Sequence, residues 1–173
     1  LGDDADAALL VDVAGHDADL AAAGGDDARA VGADEDGGGA LQVALQAMKE
    51  RHGWDDGDEV IVPAITFVST VNIVLHNRMH PVLVDVDPSY YTMDPGLLQA
   101  RISPRTRAII PVHPFGQPAD MDPIRGIANQ HGVKLIEDSC ETLFAHYRDR
   151  RVGSLGDIGC FSTYVAHLVV TGV

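Results

Sequence analysis

From residue 40 onward, two kinds of segment take turns along the chain. Short runs of consecutive apolar residues, such as "VIVP" (60–63), "PVLV" (81–84), "AIIPV" (108–112) and "IGCF" (158–161), are separated by stretches whose apolar residues recur every three or four positions. Runs of that kind suit strands buried on both faces, and the intervening stretches suit helices. In "ALQVALQAMKERHG", Leu41, Ala44, Leu45 and Met48 fall on one helical face, with Gly53 near its end. "FVSTVNIVLHN" is also apolar at helical spacing. In "MDPGLLQARI", Asp94 is placed to cap a helix and Pro95 suits its first position. "MDPIRGIANQHG" repeats the device with Asp122 as cap, Pro123, an apolar face of Ile124, Ile127 and Ala128, and Gly132 as terminator. "VKLIEDS" and "DIGCFSTY" complete the set of strands. Alternation of this sort predicts an α/β fold with an open, mostly parallel, doubly wound sheet.

The front of the chain is different. Residues 1–40 hold 11 acids and one base, whereas residues 41–173 hold 15 acids and 11 bases, so the net charge of −14 belongs mainly to the front. Residues 1–36 are almost wholly Ala, Asp, Gly, Val and Leu, with no aromatic residue, and "ADAALLVDVA" has at most a turn or two of helix in it. Such a segment buries little to offset its ordering entropy, and an acidic, unstructured leader is expected there. No basic patch suggests nucleic acid, and no apolar run approaches the length of a membrane span. Two cysteines, Cys140 and Cys160, make no disulfide framework, which fits a reducing cytoplasm.

In open parallel sheets, ligands sit at the carboxyl ends of strands. Those ends carry Phe67, His113, Glu137, Asp138 and Ser162, followed by His167, and "GGGA" (37–40) precedes the first helix. Each has an ordinary reading: a core phenylalanine, a satisfied histidine, an aspartate that caps a turn, a loop of glycines. Together they match the needs of one ligand. A glycine turn at a helix start and a serine hydroxyl suit a phosphate; an aromatic ring stacks on a flat heterocycle; a carboxylate holds a ring nitrogen protonated. Pyridoxal phosphate needs that set. A metal site of His113, Asp138 and His167 fits no compact zinc signature.

"GDEVIVPAITFVSTVN", "PVLVDVDPSYYTMDP", "ISPRTRAIIPVHPFGQPADMDPI", "GVKLIEDS" and "VGSLGDIGCFSTY" resemble the DegT/DnrJ/StrS sugar aminotransferases over about residues 40 to 173. The resemblance implies the large domain of a fold type I pyridoxal phosphate enzyme, with residues 37–173 as its amino-terminal part and a second, smaller domain beyond. It therefore implies that this segment alone is inactive and that the full-length protein is a homodimer acting on a nucleotide-linked keto-sugar. By position, Asp138 matches the acid at the pyridine nitrogen, Phe67 the stacking ring, and Ser162 a phosphate ligand. Gly38, Gly39 and Ala40 fall at the family's phosphate turn but lack its hydroxyls. Glu141 stands where many members place a glutamine near the cofactor's ring oxygen. His113 matches a histidine on the substrate side.

His167 stands where the family's aminotransferases carry the lysine that holds the cofactor covalently. Imidazole has no primary amine. The same exchange marks a subgroup of 4-keto-6-deoxysugar 3-dehydratases, which hold pyridoxamine phosphate without a covalent bond and use the histidine as a base. The resemblance thus implies a dehydratase, with a transaminase and a non-catalytic segment as the alternatives. Cys140, two residues after the aspartate, matches a cysteine that in one dehydratase branch helps hold an iron–sulfur cluster; a small core cysteine is its plainer role.

Overall fold

The computed structural model describes residues 8–12, 29–34 and 38–162. Within them lie nine strands and four α-helices. They are β1 (Ala8–Asp12), β2 (Arg29–Asp34), α1 (Gly38–His52), β3 (Glu59–Pro63), α2 (Val68–His76), β4 (His80–Val84), α3 (Pro95–Leu98), β5 (Thr106–Ile109), α4 (Met121–His131), β6 (Lys134–Asp138), β7 (His146–Tyr147), β8 (Arg150–Arg151) and β9 (Ile158–Ser162). Seven strands form one sheet in the order β1-β2-β9-β6-β5-β3-β4, with every pair parallel. β7 and β8 make a small antiparallel hairpin.

The alternation of side chains along each strand assigns the two faces. Val60, Val62, Ala108, Ile110, Ile136, Ile158 and Cys160 pack with Leu41, Leu45 and Met48 of α1 and Ile73 and Val74 of α2. Ile61, Ile109 and Leu135 point the other way, against Leu98 of α3 and Met121, Ile124 and Ala128 of α4. The sheet is therefore doubly wound, and its central strands are buried on both faces, as continuous apolar runs predict. β4 lies at the sheet's end in that order, with Pro81 in the strand and Leu83 about half exposed.

Local signals hold in part. Asp94 accepts a hydrogen bond from Gly96 N–H ahead of α3, and Gly132 ends α4 in the left-handed conformation (φ 66°). The expected cap at Asp122 is not observed. α4 begins two residues earlier, at Met121, so Asp122 lies inside its first turn and pairs with Arg148 at 2.6 Å. Asp120 takes the cap position, and its carboxylate accepts from the Tyr147 hydroxyl instead of a helix N–H. The front of the chain also differs from the expectation. Ala8–Asp12 and Arg29–Asp34 are strands, and β2 pairs with β9 along five residues. Parallel pairing draws on backbone groups that every residue carries, so poor β-formers take part when a strand offers its edge.

One close approach governs how β9 meets the turn before it. A Cβ on Gly159 would lie 2.6 Å from Gly153 Cα and 2.7 Å from its carbonyl carbon. Both are backbone atoms and neither can swing aside. Gly159→Ala is expected to cost about 3 kcal/mol, the upper range for overpacking, read from the midpoint of urea unfolding. A cost near zero would mean that the turn at Gly153 moves freely off the strand.

Candidate functional site

The carboxyl ends of β3, β5, β6 and β9 lie along one edge of the sheet, and that edge gathers most of the residues singled out in the sequence. Asp138 ends β6 and is 5% exposed. Its backbone is fixed to the end of β5: Asp138 N–H donates to Pro111 C=O at 2.9 Å, and His113 N–H donates to Asp138 C=O at 3.0 Å. Its side chain lies on the α1–α2 face. Thr70 Oγ1 donates to Asp138 Oδ2 at 2.9 Å, and Cys140 N–H donates to Oδ1 at 3.3 Å. Thr70 in turn accepts from Thr66 Oγ1 at 2.9 Å. Among the described residues, no lysine, arginine or histidine side chain pairs with Asp138.

The other residues take up positions around it. Phe67 stands at the end of the loop after β3, at the N-cap of α2, and is 64% exposed. Ser162 ends β9, two residues beyond Cys160, the register partner of Asp138, and its side chain is buried. Ser162 is also the register partner of Asp34, and α1 starts at Gly38, four residues later. That places Gly38, Gly39 and Ala40, the first turn of α1, at the same edge. Glu141 is half-buried and accepts from Phe115 N–H at 2.9 Å, which ties the loop after β6 to the loop after β5. Cys140 is half-buried and Cys160 is buried. His167 lies outside the described residues.

His113 departs from the expectation of a substrate-side residue. Its ring is fully buried on the opposite face of the sheet edge. Nδ1 accepts from Ala119 N–H at 2.9 Å, so the ring proton is on Nε2, which donates to Glu137 Oε2 at 3.1 Å. Glu137 is the hub of that face. Buried completely, its carboxylate also accepts from the N–H groups of Gly153, at 2.8 Å, and of Leu155 and Gly156. Neighbouring residues on β6 thus do opposite things: Glu137 clamps the turn at 153–156, and Asp138 faces the α2 side. Thr66, Thr70 and the clamp made by Glu137 gave no sign in the sequence; a threonine in an apolar helix and a glutamate in a strand look ordinary there.

A different cleft, of about 400 Å³, opens at the opposite edge between His52, Trp54, Thr106, Arg107, His131 and Lys134. Its cations are already engaged, Arg107 with Asp58 at 2.8 Å and Lys134 with Asp157 at 2.9 Å. The carboxyl edge remains the place with unmet chemistry. A carboxylate that is almost fully out of water, with only neutral donors, is costly until a cation joins it. A protonated pyridine nitrogen is such a cation. The exposed ring of Phe67, the buried Ser162 and the amino end of α1 fit the rest of a flat, phosphorylated heterocycle. The residues present thus suit pyridoxal or pyridoxamine phosphate.

The fold is a doubly wound α/β sheet of the kind found in pyridoxal phosphate-dependent aminotransferases. The model of the DegT/DnrJ/EryC1/StrS aminotransferase family matches residues 7–173, and the chain belongs to that family. It is 46% identical over 133 residues to GDP-perosamine synthase of Caulobacter vibrioides, covering 77% of this chain and 35% of that protein. An aminotransferase from Psychrobacter cryohalolentis has a similar structure, with a TM-score of 0.74 and 37% identity over 80% of this chain and 34% of that one. The GDP-4-keto-6-deoxy-D-mannose-3-dehydratase of E. coli, solved with hydrated pyridoxal phosphate, gives a TM-score of 0.73 and 27% identity over 78% and 35% of the two chains. The chain therefore spans about a third of the length of the relatives it matches, and both amino transfer and dehydration occur among them. No helix among the described residues is long and apolar enough to cross a membrane.

Proposed function

We propose that this chain is the cofactor-binding part of a pyridoxal or pyridoxamine phosphate-dependent enzyme that modifies a nucleotide-linked keto-sugar. The observation that carries the reading is Asp138, a nearly buried carboxylate at a strand's carboxyl end with neutral partners alone. When bound, the cofactor's protonated ring supplies an electron sink, which both 3-dehydration and amino transfer use. Asp138 keeps the proton on the ring nitrogen. Phe67 covers one face of the ring and keeps water from it. Ser162 and the first turn of α1, Gly38 to Ala40, hold the phosphate, with the positive end of the helix dipole in place of the missing hydroxyls. Glu141 borders the ring's oxygen side. His167 takes up and returns a proton, a task suited to imidazole near neutral pH. The reaction that follows is 3-dehydration of a 4-keto-6-deoxysugar. His113 serves as a support for the site through Glu137 and does not meet the sugar.

A second reading, transamination of a keto-sugar, is favoured by the sequence similarity to GDP-perosamine synthase. His167 separates the two. Titration with pyridoxal phosphate should show one saturable site per chain, and no binding at all would sink both readings. After borohydride reduction and denaturation, the chain's mass should be unchanged if the cofactor is held without a covalent bond. A permanent cofactor adduct would favour the second reading. In the complete protein we infer a homodimer in the cytoplasm. Exposed Ile65, Phe115 and Phe144 at the carboxyl edge offer apolar surface that a second subunit would cover. Cys140 as a cluster ligand would require further thiolates beside it.

A further inference from the structure

We propose that Thr70 is a positioning residue for Asp138, and that Thr66 and Thr70 form a relay of hydroxyls which holds that carboxylate aimed at a ring nitrogen. The inference rests on the reading above, in which Asp138 meets the cofactor. Thr70 is completely buried on α2 and is separated from Asp138 by 68 positions in sequence. A buried threonine inside a helix ordinarily turns its hydroxyl back to the carbonyl one turn earlier. Here it turns away from its own helix, donates its single proton to Asp138 Oδ2 and accepts from Thr66 Oγ1. Two hydroxyls in line polarise each other and make the final donor stronger. With Oδ2 so occupied and Oδ1 met only by the long contact from Cys140 N–H, Oδ1 keeps the capacity for a further donor.

The relay also spans Phe67. Thr66 and Thr70 flank it in sequence, and Thr70 N–H donates to Phe67 C=O at 3.1 Å. One turn of chain thus carries the stacking ring and the group that orients the acid. A purely structural threonine would need only its volume, which valine reproduces. A positioning threonine needs its oxygen, which serine keeps.

The test uses pyridoxamine 5′-phosphate labelled with ¹⁵N in the ring, added to the chain and to its Thr70→Val and Thr70→Ser variants. Loss of one hydrogen bond to a charged group should weaken binding in Thr70→Val about tenfold. Without the donor that aims the carboxylate, the ring nitrogen is less well paired, and its chemical shift moves from the pyridinium position toward the neutral pyridine one. Thr70→Ser should bind within about twofold of the unsubstituted chain and keep its chemical shift, since it keeps the donor. Equal behaviour of the valine and serine variants, or a valine variant with unchanged affinity and shift, overturns the proposal. Thr66→Val is the second arm, because its half-buried hydroxyl is less exposed to folding effects. It should weaken binding about threefold and move the shift the same way with melting unchanged; no movement of the shift overturns the relay. If the unsubstituted chain does not bind the probe, the functional reading falls and this inference with it. If it binds and the variants match it, the inference alone falls.

Discussion

Glu137→Ala is expected to lose about 5 kcal/mol of stability or more, enough to unfold most domains of this size. The carboxylate accepts four hydrogen bonds in a site with no exposure: three backbone N–H groups from the turn at 153–156 and the Nε2–H of His113. Alanine would leave all four donors unmatched in the interior, each at about 1–3 kcal/mol, and would open a cavity as well. Glu137→Gln is the sharper experiment because it keeps the volume. Oε1 faces Leu155 and Gly156 N–H, and Oε2 faces Gly153 N–H and His113. Either orientation of the amide therefore turns its NH₂ toward two donors, and a loss of about 3 kcal/mol is expected. Urea unfolding of the two variants gives both numbers. Losses below about 1 kcal/mol in both would mean that water replaces the carboxylate, so the clamp is not what fastens the turn to β6.

How much of this was legible beforehand differs from residue to residue. The strands β3, β5, β6 and β9 announced themselves because burial on both faces demands unbroken apolar runs, and the sheet leaves no room for alternation there. Asp94 and Gly132 were readable for the same reason: a cap needs a particular side chain, and a left-handed C-terminus favours glycine. Asp122 is not the cap because the helix already starts at Met121, and Tyr147, far along the chain, takes up the carboxylate of Asp120 at the N-cap position. β1 and β2 were hidden, since their pairing resides in the backbone while their composition resembles a leader. Within the site, Asp138 stood out by its place at a strand end, and the family resemblance gave it a partner. His113 occupies an equivalent place, and nothing in the sequence tells whether such a ring turns outward to a ligand or inward to Glu137. Thr70 could not be foreseen, because its role exists only where α2 crosses the end of β6.

Asp138→Asn is expected to move stability and cofactor binding in opposite directions. Asparagine has nearly the same shape and can still accept from Thr70 through its one oxygen, losing only the long 3.3 Å contact from Cys140 N–H. It carries no charge, so the cost of holding an ion away from water disappears. Without ligand, the variant should unfold at slightly higher urea than the unsubstituted chain, by about 1 kcal/mol. Binding of pyridoxamine phosphate should weaken roughly 10- to 100-fold, the worth of a hydrogen bond between two charged partners of about 1.5–3 kcal/mol. The ring nitrogen would also lose its reason to stay protonated, so turnover in the complete enzyme should fall further than affinity does. An aspartate that merely closes the turn after β6 predicts the reverse: lower stability in the variant and unchanged affinity. A titration and an unfolding curve on the same sample decide between the two, because an acid kept in a poor place for stability is retained for what it binds.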